Sequence, residues 1–156
     1  MRSKRFGIGA ALAAGTLAAG VALAPGAAAV VPETATITAD CGVYGGGTAT
    51  LTATQDGSAA TVTVTSSITA PLALAEDSIT STLTLVAAGG GTTAFTGTEN
   101  PAMATGDAVT VGPLSGTVAP GDSLEAFGGS LEMVIFGLTV TCTAAGPQAP
   151  GPFVFE

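Results

Sequence analysis

The side chains of this 156-residue chain best suited to chemistry are six carboxylates, Asp77, Glu99, Asp107, Asp122, Glu125 and Glu132. A pair of acids about 5 to 9 Å apart is enough to cleave a glycosidic bond, one protonating the leaving oxygen and the other acting as nucleophile or base. That chemistry sits in a groove that grips a sugar, normally against aromatic rings, and the chain has no Trp and one Tyr, Tyr44. Asp56, Asp107 and Asp122 each adjoin a glycine, Gly57, Gly106 and Gly121, which is the composition of tight turns. Glu125 and Glu132 read as solvent-facing strand positions. Calcium could use the same oxygens, but no ordered Asp-x-Asp-x-Asp loop is present. Two cysteines plus carboxylates are a poor zinc set. The chain therefore predicts no metal, no cofactor and no catalytic residue.

The missing residue types exclude further chemistry. The chain has no His, and its three basic residues are Arg2, Lys4 and Arg5. Beyond residue 5 the many Ser and Thr hydroxyls have no imidazole or amine to activate them, so nucleophilic hydrolysis of the Ser-His or Ser-Lys kind is not expected. No Gly-rich phosphate loop ending in Lys occurs. All 11 Asp and Glu lie beyond the three bases. With no cation, that part of the chain cannot neutralise phosphates or anionic lipid headgroups, so neither nucleic acid nor membrane is an expected partner.

Residues 1–29 have the three parts of a secretory signal: the basic start, an uncharged Ala-, Leu- and Gly-rich run from Phe6 to Ala24, and a small-residue site at Ala27-Ala28-Ala29. Gly9, Gly15, Gly20, Pro25 and Gly26 argue against a retained spanning helix, which needs about 20 strongly apolar residues. Cleavage is expected before Val30, leaving residues 30–156 as one domain in a secreted, extracellular protein. In an oxidising compartment Cys41 and Cys142 are expected to form a disulfide. A bridge closing a loop of about a hundred residues adds up to about 4.7 kcal/mol in the chain-entropy model.

The elements that position these residues read as strands. From Val31 onward apolar residues alternate with Thr, the period-two signature of a half-buried strand. The clearest case is Gly137 to Thr143, where Leu138, Val140 and Cys142 share one face and Thr139, Thr141 and Thr143 the other. Ile37, Ala39 and Cys41 repeat that spacing near the other end of the domain. Further strands are expected over Thr34–Cys41, Thr48–Thr54, Ala60–Ser66, Ser78–Val86, Thr92–Thr98, Ala108–Val118 and Ser123–Phe136. Asp56-Gly57 should make a hairpin turn, Leu72 and Leu74 an edge after Pro71, Gly112-Pro113 a bulge or bend, and Gly128-Gly129 a hinge. No segment supplies crossover helices, so the expectation is an antiparallel β-sandwich of about eight strands. Leu51, Val62, Val64, Leu83, Leu85, Ile135, Leu138 and Val140 would lie between its sheets; a closed barrel is the alternative. The ending Phe153-Val154-Phe155, after Pro147, Pro150 and Pro152, is either an edge strand packed on the body or an exposed patch for self-association.

The Ala-rich export signal, the Thr-alternating strands, a Cys near each end of the domain and the Gly-Pro-Phe-Val-Phe terminus together resemble small uncharacterised secreted proteins of actinobacteria. That resemblance implies an immunoglobulin-like form of the sandwich and again the Cys41–Cys142 bridge, and it carries over no other functional residue. The function expected is a non-enzymatic interaction module that meets a protein or cell-surface component. A self-assembling surface protein, a homo-oligomer through Phe153, Val154 and Phe155, is the second reading. An acid-pair glycosidase is the third.

Overall fold

A computed structural model describes residues 29–156; the expected signal sequence, apart from its last residue Ala29, lies outside them. The described chain is all β, with nine strands and one 3-10 turn at Gly42–Tyr44. The strands are β1 (Thr34–Asp40), β2 (Gly46–Asp56), β3 (Ala59–Thr69), β4 (Thr80–Ala87), β5 (Thr92–Gly97), β6 (Ala108–Thr117), β7 (Ser123–Ile135), β8 (Leu138–Ala144) and β9 (Phe153–Val154).

Their order is β4-β5-β6-β3-β2-β1-β8-β7-β9, and β4 also pairs with β7. That last pairing joins the two ends of an eight-strand run, so the sheet closes on itself as an antiparallel barrel. Closure corrects the expectation of two separately edged sheets. Alternation along a strand says which residues face inward, but a barrel and a sandwich bury the same alternate positions, and only the pairing of β4 with β7 distinguishes them. The ring is uneven. β5 meets β6 only at Thr96↔Ser115, and β1 meets β8 only at Ala39↔Ala144 and Asp40↔Thr143.

Most expected strands and turns are present. β2 and β3 pair from Ala49↔Ser66 to Asp56↔Ala59, leaving Gly57-Ser58 as a two-residue turn with Gly57 at φ +60°, the positive value a hairpin turn of this length requires. The register of β3 on β6 slips between Val62↔Leu114 and Val64↔Val111, which places a bulge at Gly112-Pro113. A larger slip on β4, between Thr84↔Ser130 and Val86↔Glu125, makes Gly128-Gly129 part of a wide bulge inside one strand. Leu72 and Leu74 are the exception, since residues 70–79 form no strand and Leu74 makes only a single bridge to Met103.

Two irregular segments are each held by a buried side-chain amide. Asn100 Oδ1 accepts from the N–H groups of Ser78 and Ile79 at 2.8 and 2.9 Å, and its Nδ2 donates to the carbonyls of Ala75 and Pro101, both at 2.8 Å. Gln148 does the same for the β7 bulge, its Oε1 accepting from Ala126 N–H at 2.9 Å and its Nε2 donating to Gly151 O at 3.1 Å. Both side chains are buried, and each supplies hydrogen bonds that a regular ladder would otherwise provide.

One end of the barrel is packed solid. Phe95, Phe153 and Phe155 are fully buried there with Leu85, Leu114 and Leu124, each large side chain worth about 1.5–3 kcal/mol of burial. β9 pairs with β7 at Leu124↔Phe153 and bridges Val31, and Gln55 and Glu156 hydrogen-bond across the same end.

Candidate functional site

The other end is open. β3 finishes there, β6 begins, and β7 turns into β8. The walls are the inward faces of strands from around most of the ring: Ile37 and Ala39 of β1, Leu51 of β2, Val64 and Ile68 of β3, Val109 and Val111 of β6, Leu131, Met133 and Ile135 of β7, and Val140 of β8. Between them lies a cavity of about 400 Å³. An eight-strand barrel is just wide enough either to fill with side chains or to hold one small ligand, and here the two outcomes divide the molecule lengthwise.

Half-burial of inward-facing residues records this division. Ile37, Ile68, Val109, Leu131 and Ile135 pack against the core yet are only partly buried, because the face each turns inward meets the cavity. Leu138 corrects the sequence reading. It keeps the face it shares with Val140 and Cys142 and it lines the cavity, yet it is 62% exposed, at the open end beside the β7–β8 turn. Alternation assigns a face correctly and says nothing about whether that face is covered.

The rim is apolar. Phe136 is 71% exposed at the β7–β8 turn, Tyr44 is half-exposed in the 3-10 turn, and Leu72 is half-exposed in the β3–β4 connection; all three line the cavity. Next to Tyr44, Val43 is almost wholly exposed. The Phe136 turn is unusual in its backbone. Ile135 pairs with Leu138, so Phe136-Gly137 is a two-residue connection, with φ +51° and +78°. A turn of that shape favours Asn-Gly or Asp-Gly, and a bulky aromatic at positive φ is disfavoured. An exposed Phe thus stands in a disfavoured backbone conformation at the lip of the cavity.

The polar side chains on the cavity wall are hydroxyls, those of Tyr44, Ser66, Thr69, Ser130 and Thr143. No carboxylate is among the lining residues. Asp107 Oδ2 accepts from Ala104 N–H and Asp122 Oδ2 from Ala119 N–H, each at 2.8 Å, which is turn geometry. Glu125 Oε1 accepts from Gln148 N–H at 2.9 Å. Glu132 stands on the face of β7 opposite Leu131 and Met133, paired with Thr82 and Thr141. Asp77 lies in a turn at φ +53°, and Glu99 lies between β5 and β6. Among the described residues no three His, Cys, Asp or Glu side chains cluster as a metal site.

Cys41 and Cys142 are joined in a disulfide, and both line the cavity. Their place follows from register. After Ala39↔Ala144 and Asp40↔Thr143, the next opposed pair is Cys41 and Cys142, so the bridge takes the position of a third rung where β1 leaves the ladder for the 3-10 turn.

Phe153 and Phe155 are wholly buried, and only Val154 of that trio is exposed. The terminal tip is therefore an edge strand packed on the body, with its two rings buried. The rim residues Tyr44, Leu72 and Phe136 were missed by the sequence reading. The available signal was Phe136-Gly137 itself, an aromatic where a hairpin turn calls for Asn or Asp.

No protein-family model, curated protein or solved structure matches the chain.

Proposed function

We propose that the domain is a non-enzymatic interaction module acting outside the cell, and that it binds an apolar ligand in the open half of the barrel. The observation that carries this reading is the cavity of about 400 Å³ with aliphatic walls and an exposed apolar rim. Its volume falls within the range of small-molecule pockets. The disulfide is consistent with an extracellular setting. The thin β5–β6 and β1–β8 seams divide the ring into two groups of strands, and that division is what favours an immunoglobulin-like reading of the barrel.

The alternatives have weaker support. Self-assembly through the terminal tip would have to proceed without the rings of Phe153 and Phe155, which are inside. An acid-pair glycosidase would have to work without a carboxylate in the cavity wall.

The test is saturable binding of a neutral environment-sensitive dye to the secreted product, repeated with Val109→Trp, which adds bulk to a half-buried wall residue. One site that is lost in a folded V109W variant is expected. Absence of binding would overturn the proposal, as would turnover of a polysaccharide abolished by changing one carboxylate to its amide.

A further inference from the structure

The ionisable side chains beyond residue 5 carry charge of one sign only. The wall offers hydroxyls and no cation, and every Lys and Arg of the chain lies within its first five residues. Asp40 and Asp107 are neighbours in the chain of residues at the open end, and neither carboxylate lines the cavity. Asp40 precedes the lining residue Cys41, and its Oδ1 accepts from Gly42 N–H at 2.8 Å. Asp107 lies two residues before the lining residue Val109. An anionic headgroup drawn inside would lose its water without gaining a partner. Left at the lip, it would meet the field of a domain carrying eleven acids and no base.

We propose, building on the binding reading above, that the cavity holds the hydrocarbon part of an uncharged or cationic amphiphile and discriminates against the corresponding carboxylate. A water-sized group takes about 30 Å³ of liquid volume, so the space suits a chain of about a dozen heavy atoms. The exposed rings of Phe136 and Tyr44 flank the position where such a chain would leave the barrel, and the Tyr44 hydroxyl is a neutral polar group at that level.

The experiment compares decan-1-ol, decylammonium and decanoate by equilibrium titration at pH 8 and low salt, on the wild-type protein and on V109W. The alcohol is expected to saturate one site, the ammonium to bind at least as tightly, and the carboxylate at least fivefold more weakly. The gap should narrow in about 1 M salt, where the screening length falls to about 3 Å. Decanoate binding as tightly as decanol would overturn the charge selection while leaving the cavity reading intact. Undiminished decanol binding by V109W would place the site elsewhere and overturn both. Failure of all three ligands to bind would remove the underlying reading.

Discussion

Phe136 sets local stability against contact. Its backbone stands at φ +51° in a two-residue turn, a conformation that costs an L-residue about 1–2 kcal/mol and that Asn tolerates. Phe136→Asn is therefore expected to raise the unfolding free energy by about 1 kcal/mol while weakening apolar ligand binding roughly threefold to tenfold. Denaturant titration and ligand titration on the same variant check the two signs. A loss of both would make Phe136 a packing residue. At this scale the chain was legible wherever a side chain's face decides its fate: Leu51, Val62, Val64, Leu83, Leu85 and Val140 are buried as expected. Leu138 and the rim escaped because burial also needs something opposite, and period-two spacing carries no information about the far wall.

At the scale of elements, irregular segments rather than regular strands limit what sequence can say. The Gly112-Pro113 bulge and the Asp56-Gly57 turn were readable because glycine and proline announce themselves. Asn100 was not, since an Asn before Pro signals the end of a strand and not a buried amide with four partners. Asn100→Ala would leave the N–H groups of Ser78 and Ile79 and the carbonyls of Ala75 and Pro101 without their partner. The expected loss is about 3 kcal/mol, measured by chemical denaturation, with faster amide exchange at Ser78 and Ile79. An exposed Asn would show neither effect.

For the whole molecule, the disulfide and the thin β1–β8 seam belong together. Replacing both Cys41 and Cys142 with Ala removes a link between residues 101 apart, worth up to about 4.7 kcal/mol in the chain-entropy model. A lowered melting temperature is expected, with exchange accelerated first at Ala39 and Asp40. Unchanged exchange at those two amides would mean that the seam holds without its bridge. The strands, their outward threonines and this pairing were legible because each rests on local pattern or on two residues alone. Closure of the ring was not, because the joining of β4 to β7 pairs residues 37 to 54 positions apart in the chain and leaves no periodic trace in either.

The open half of the barrel is the feature on which the functional account rests, and pressurising crystals with xenon tests it directly. Dry apolar cavities take up xenon. The account predicts an ordered xenon atom among Ile37, Ile68, Val109 and Leu131. A crystal structure in which those side chains meet across the barrel and no xenon is bound would contradict it.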